Sequence, residues 1–323
     1  YFFALYFVPK SPRWLYVRGF INESKSVLKK LHGKSKYLIE LDSIKQSIKS
    51  NVKSNKVPLK TLLKPSLRFI MIVGLTLGIL QQITGINAVY FYATSIFKQT
   101  GIGSDAAFSS GVLLSTISVI FTFVAIYLID RMGRRPLLLV GTAGISVSLL
   151  MCSYGFNQAT YQLNEKDINQ FEFVNSEKLI SVVDKVYTSD VDFKNDIKSI
   201  LGTNVYGKND GAILEAASKI NSTLILIGIL GFIACFAFSL GPVMWVLLSE
   251  LFPLKYRGLA IGTIAFVNSF ISSIVQLIFP WELSNLGSST TFLIYGIFAF
   301  FGLIFIDAPP LGPRIFKVLV TSI

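Results

Sequence analysis

Charge is scarce in this sequence, and the residues that most often build reactive centres are scarcer still. Only 15% of its 323 residues are Asp, Glu, Lys or Arg, with two cysteines and one histidine. His32 lies among lysines with no Cys or His neighbour, so no metal site can be assembled around it. Cys152 and Cys235 both sit inside apolar runs, where a thiol behaves as a small inert hydrophobe, and no disulfide framework is indicated. An enzyme or ion pathway within a membrane would need ionisable side chains in the middle of such runs. Every acid or base here lies near an end of one. The chain is therefore not expected to be an enzyme, and nothing in it calls for a cofactor. An initiator methionine is also missing. Tyr1 to Val8 read as the last turns of a helix already under way, so a fragment of a longer protein is expected.

What is present is apolar, at 52% hydrophobic residues with 27 phenylalanines. These residues come in long blocks rather than at alternating or one-face spacing. A block of about 18 residues or more can cross the hydrocarbon of a bilayer as a helix. Helices are favoured there because each satisfies its own backbone hydrogen bonds. Six such spans are predicted, at roughly 67–94, 108–129, 136–156, 222–248, 259–280 and 290–307.

The formal charge of +12 invites a nucleic-acid reading, but its distribution opposes one. From Pro9 to Arg68 there are 15 Lys and Arg against three acids, whereas from Asn157 to Ile220 there are seven Lys against ten acids. Basic connections alternate with neutral or acidic ones, as in an up-down bundle that keeps its positive loops inside the cell. No nucleic-acid partner is expected, because no basic patch is interleaved with aromatics on a folded face.

The expected organisation is a helix end at 1–8, a basic cytoplasmic linker at 9–66 and three spans within 67–156. A long non-cytoplasmic loop at 157–221, three spans within 222–307 and a cytoplasmic tail at 308–323 follow. In the linker, Val27, Leu28, Leu31, Leu38, Leu41, Ile44 and Ile48 are spaced among lysines, which suits amphipathic helices at the membrane surface.

Four short motifs narrow the class. Pro9-Lys10-Ser11-Pro12-Arg13-Trp14-Leu15 follows the cut helix. Gln81-Gln82-Ile83-Thr84-Gly85-Ile86-Asn87 lies in the first full span. Asp130-Arg131-Met132-Gly133-Arg134-Arg135-Pro136 forms a basic turn, and Gly241-Pro242-Val243-Met244-Trp245 runs on to Ser249-Glu250-Leu251-Phe252-Pro253 and Arg257-Gly258. In order and spacing they resemble the signatures of the sugar porters of the major facilitator superfamily. The resemblance covers residues 1 to about 307. It implies an all-α, polytopic membrane bundle: the C-terminal six-helix half of a major facilitator fold plus the end of the preceding helix. Its implied partners are a small-molecule sugar, the lipid bilayer and a missing N-terminal bundle in cis. The plasma membrane is its expected location.

The residues carry a physical reading of their own. A sugar is a ring of hydroxyls, each donor and acceptor, and Gln81, Gln82 and Asn87 supply neutral amides that do both. An amide left without partners inside a span costs several kcal/mol, so three within seven residues call for partners. On a straight helix Gln82 and Asn87 would lie ~140° apart. Gly85 between them would let the helix unwind and turn both toward one cavity. Trp245 follows Gly241-Pro242, a pair that should loosen its helix, and offers a flat apolar face with one N–H donor. Asn268, Ser272 and Gln276 fall at i, i+4 and i+8 along an otherwise apolar helix. The resemblance puts Asn268 at the substrate site; for Gln276 bonding between helices is the stronger expectation. The expected substrate-binding set is Gln81, Gln82, Asn87, Trp245 and Asn268.

Asp130, Arg131, Arg134, Arg135, Glu250 and Arg257 fit the family's cytoplasmic ion-pair cluster, which ties helices together when the transporter faces outward. The chain also departs from the family. Ser118 and Ala237 stand where many members carry asparagine and glutamate, Ser269 where tryptophan is frequent, and Asp307 to Pro313 replace the usual tail. The expected function is facilitative, alternating-access transport of a neutral monosaccharide such as a hexose. A transport-deficient sugar sensor or half-transporter, and a proton-coupled symporter, are the alternatives.

Overall fold

The computed structural model describes residues 9–51, 58–98, 100, 104–165, 168, 171 and 176–308. The expected helix end at 1–8 and the tail beyond 308 lie outside them. The chain divides into two compact units, Tyr1–Lys64 with Leu254–Leu259, and Pro65–Pro253 with Ala260–Ile323.

In the first unit, helix α1 (Pro12–Val17) starts on a proline, which is pre-set for a first helical turn. Helix α2 (Ile21–Asn51) is interrupted at Gly33, whose φ of 74° lies in the left-handed region that glycine alone adopts freely. The Ser24 hydroxyl donates to the Pro12 carbonyl at 2.8 Å and ties the two helices. Of the spaced apolar residues, Leu28 and Leu41 are buried while Leu31 and Leu38 stay exposed.

The second unit holds the apolar helices α3 (Pro65–Ile83), α4 (Ile86–Lys98), α5 (Ser104–Met132), α6 (Arg134–Asn157), α9 (Ser222–Phe238), α10 (Leu240–Leu251), α12 (Gly287–Asp307) and most of α11 (Leu254–Asn285). Between α6 and α9 lie the polar helices α7 (Asp190–Leu201) and α8 (Thr203–Ala217). Among the described residues six stretches are long and apolar enough to cross a bilayer, and two of them are broken. One comprises α3 and α4, the other α9 and α10. The fold is a helical membrane bundle.

Helix α6 is the hub of this bundle, packed along α9 and α12. Small residues let the backbones approach, which is what drives association where lipid is as apolar as leucine. Both cysteines are free and serve this packing, Cys235 seated over Gly144 and Cys152 over Gly228. Ser153 and Ser289 each donate to the other's carbonyl, at 2.9 and 3.0 Å, and Ser146 donates to the Gly296 carbonyl at 3.0 Å.

The polar segment between α6 and α9 has its own core. Strand β1 (Thr160–Tyr161) pairs antiparallel with β2 (Ser218–Lys219) and brings the ends of the insertion together. Tyr161, Leu179, Phe193, Ile197, Tyr206 and Ile213 pack between the two helices and the strands. Ser189 caps α7 by accepting from the Asp192 N–H.

The insertion is fastened to the bundle through Asp190. Asp190 Oδ2 takes Lys194 Nζ at 2.8 Å and the backbone N–H and hydroxyl of Ser288, at 3.3 and 3.2 Å. The carboxylate thus sits on the N-terminus of α12, where the helix dipole favours negative charge. Where the chain leaves the insertion, Ser222 at the start of α9 donates through Oγ to the Thr100 carbonyl at 2.7 Å, just past the end of α4.

Candidate functional site

Each broken span has an identifiable cause. The first is interrupted at Gly85, with φ of 80°, and the Gly85 N–H turns back to the Gln82 carbonyl at 2.9 Å. A side chain there is excluded twice, since a Cβ would also stand 2.6 Å from the Tyr295 ring. The second is interrupted at Ser239, with φ −128° and ψ −92°. Pro242 has no N–H and its ring crowds the carbonyl four residues earlier, so the helix restarts at Leu240.

The amides gather between these breaks. Gln81 Nε2 donates to the Leu240 carbonyl at 2.9 Å, which joins the first broken span to the second. Gln82 Nε2 donates to Asn268 Oδ1 at 3.1 Å and makes a longer 3.4 Å contact with Gln81 Oε1. Asn268 Nδ2 donates to Gln81 Oε1 at 2.8 Å and to the Gly78 carbonyl at 2.7 Å. Asn87 Nδ2 donates to Gln82 Oε1 at 2.8 Å and to Ser272 Oγ at 2.7 Å. Four helices, α3, α4, α10 and α11, and both breaks are thereby linked by one network of neutral donors and acceptors. Leaving one such buried group unsatisfied costs about 1–3 kcal/mol, and the cross-links hold the helices in register.

Of the five expected binding residues, the structure brings Gln81, Gln82, Asn87 and Asn268 into direct contact. Trp245 is not hydrogen-bonded to them; it lies three residues past Pro242 on α10 with 37% of its surface exposed. Ser272 is a full member of the network that the expected set omitted. Its position four residues past Asn268 on a polar stripe was the available signal. The Leu240 carbonyl is a member no sequence pattern marks, because its availability follows from where α10 restarts.

At the opposite end from the insertion, Arg134 holds Glu250 Oε1 through Nη2 at 2.7 Å and Nε at 3.1 Å. It also reaches Asp130 at 3.3 Å and the Ile129 carbonyl at 3.1 Å. Arg135 donates to the Asp307 backbone carbonyl at 2.8 Å and contacts its carboxylate at 3.5 Å. Arg131 makes no ion pair among the described residues; its guanidinium lies 4.0 Å from the Tyr127 ring centroid, one turn back on α5. Asp130 is already engaged by Arg134, and Tyr127 offers an aromatic face instead. Arg257 belongs to the first compact unit. Asp307 joins this cluster although it falls where the tail departs from the family pattern.

Six apolar stretches among the described residues, two of them broken beside buried amides, define a polytopic membrane bundle of the major facilitator type. The proton:xylose symporter XylE, solved bound to 6-bromo-6-deoxy-D-glucose, superposes with a TM-score of 0.62 at 25% identity, covering 94% of this chain and 52% of that one. The partially occluded inward-open form of XylE from E. coli shares the fold at a TM-score of 0.57. The chain belongs to the family described as sugar (and other) transporter, whose profile matches residues 1–175 and 200–307. The unmatched stretch between them falls inside the insertion.

Among curated relatives, the metabolite transport protein YwtG of Bacillus subtilis is 33% identical over 92% of this chain and 52% of its own length. The major myo-inositol transporter IolT of the same organism is 29% identical, over 91% and 50%. The glucose transporter GlcP of Staphylococcus epidermidis is 30% identical, over 94% and 54%. The chain spans about half the length of the curated relatives it matches. It is an integral, multi-pass membrane protein and not an enzyme.

Proposed function

We propose that this chain forms one wall of a cavity that carries a neutral monosaccharide, such as a hexose, across the plasma membrane by alternating access. A second, N-terminal bundle would supply the other wall. The observation that carries this reading is the amide network of Gln81, Gln82, Asn87 and Asn268, with Ser272, set at two helix breaks. Neutral amides can exchange their hydrogen bonds to one another for bonds to sugar hydroxyls without moving charge into the membrane. Trp245, partly exposed beside the second break, supplies an apolar face for the C–H side of a sugar ring.

The excess of Lys and Arg in the basic segments supports an arginine cluster on the cytoplasmic side and an insertion on the other. On that assignment Arg134 and Glu250 act as part of an inner gate, closed when the cavity opens toward the insertion. Facilitated diffusion is the preferred energetics, because the amides are neutral. Relatives include an arabinose–proton symporter of Bacillus subtilis, 28% identical, so coupling has a direct test. Uptake of labelled glucose into liposomes by the protein expressed from its native gene should be strongly reduced by Gln82→Ala. Undiminished uptake in that variant overturns the site. Accumulation against a gradient that collapses with a protonophore overturns the facilitative mode in favour of symport.

A further inference from the structure

Helix α11 carries its polar stripe beyond the amide network. From Asn268 to Gln276 the stripe spans eight residues, about 12 Å of helix, longer than one monosaccharide ring. Asn268 and Ser272 bond across to α3 and α4. Gln276 does not. Among the described residues both its hydrogen bonds return to Ser272 of its own helix, to the hydroxyl at 2.9 Å and the carbonyl at 3.2 Å. A glutamine in an apolar span is costly, and its usual justification is to bond one helix to another. Gln276 ties nothing to α11 from outside, so assembly of the bundle does not explain it.

Its surroundings suit a hydroxylated ligand. Gln276 is half-buried, and Ser272 Oγ accepts simultaneously from Gln276 and from Asn87. A ligand that takes the serine hydroxyl therefore releases both amides toward itself, one on each side. One turn further along, Phe279 is wedged between Tyr92, with ring centroids 5.3 Å apart, and Tyr295, at 6.1 Å. Phe279 and Tyr295 are buried, so these rings pack the helix next to the outermost amide and leave recognition of a hydroxylated ligand to the polar stripe.

We propose that Ser272 and Gln276 form a second, outer position for a neutral monosaccharide, between the insertion-side mouth and the inner amides around Gln82 and Asn268. This position rests on the transport reading above. A sugar entering from the insertion side is bound first by Gln276 and the Ser272 hydroxyl, then passes along the stripe as Asn87 and Gln82 exchange partners. The shared Ser272 hydroxyl is the point of transfer.

The test uses the full protein with Cys152→Ser and Cys235→Ser, and Gln276→Cys added. A membrane-impermeant methanethiosulfonate is supplied from the insertion side. The new thiol is expected to react. Glucose at about four times its half-saturating concentration should slow the reaction about fivefold, as occupancy of one site requires. That protection should persist, at higher glucose, when Gln82→Ala removes an inner contact. No labelling, labelling indifferent to glucose, or protection abolished by Gln82→Ala each overturns the outer position. Gln276→Leu gives an independent measurement through uptake: its half-saturating glucose concentration should rise severalfold, and an unchanged value overturns the proposal. Absence of uptake in the parent protein would strike the transport reading itself, whereas intact uptake without protection strikes only the outer position.

Discussion

Asn87 donates to Gln82 Oε1 at 2.8 Å although five residues separate them along one span. On a continuous helix the two side chains would point ~140° apart. The left-handed turn at Gly85 removes that angle, and Asn87 uses its remaining hydrogen on Ser272 of α11 at 2.7 Å. The break is therefore the device that builds the site.

Replacing Gly85 with alanine tests it. The left-handed backbone costs a non-glycine residue about 1–2 kcal/mol, and overpacking against Tyr295 adds about 1–3. Gly85→Ala should lower the thermal midpoint in detergent and abolish uptake. Tyr295→Leu should recover part of the midpoint in the double variant, with a coupling of at least ~0.5 kcal/mol. Strict additivity would show that the ring is not the obstacle.

Asn268 meets three partners' demands at once, giving to Gly78 and Gln81 and accepting from Gln82. Asn268→Leu should weaken glucose binding by about 10- to 100-fold, the equivalent of one or two lost buried hydrogen bonds. Equilibrium binding to the purified protein reads this directly.

The Arg134–Glu250 pair is partly exposed, with side-chain exposures of 22% and 35%. Such a pair contributes about 1 kcal/mol at most, enough to shift a two-state equilibrium about fivefold. Glu250→Gln should raise the reactivity of a cysteine placed in the cavity toward reagents added from the arginine side. The charge-swapped pair Arg134→Glu with Glu250→Arg should bring it back toward the starting level.

Asp190 and Lys194 are nearly buried, at 11% and 9% side-chain exposure, and Asp190 also holds the start of α12. Removing one member of such a pair costs about 3–5 kcal/mol. Asp190→Asn should greatly accelerate amide hydrogen exchange in α7 and in the first turn of α12. Exchange unchanged at α12 would show that the insertion is not fastened there.

Within the insertion, the Lys185 ammonium and then the Tyr187 hydroxyl hold the Asp196 carboxylate below its ordinary range. A carboxylate lowered in the folded state contributes stability above its unfolded value near pH 4, and that contribution is lost as pH falls through the lower folded value. Hydrogen-exchange protection around residues 185–197, taken relative to the intrinsic exchange rate at each pH, should therefore fall on acidification of the native protein. Asp196→Asn should show faster exchange at neutral pH and less change on acidification.

Much of this protein was legible in its residues. Long apolar blocks must be helices in lipid, because the backbone has no other partner there, and the six stretches follow from that constraint alone. Gln81, Gln82, Asn87 and Asn268 announced themselves because neutral amides are conspicuous in such blocks, and Gly85 because its position between two of them made sense only as a break. The insertion was legible as polar but not as folded. Its core residues, such as Tyr161, Phe193 and Tyr206, are spread over 46 positions with no single period.

What the residues determined by themselves is which segments enter the membrane and which polar groups go with them. Tertiary structure alone decided the pairings. Ser272 enters the network because the Gly85 turn aims Asn87 at α11. The Leu240 carbonyl enters because Pro242 moves the restart of α10 beside Gln81. Arg131 falls away from the ion pairs because Arg134 already occupies Asp130. Asp190 reaches Ser288, 98 residues away, because the insertion folds over the end of α12. Each is a hydrogen bond or ion pair between groups far apart in the chain. Such bonds form only after helix packing has fixed distances to within a few tenths of an ångström, and residue type and spacing do not contain that information.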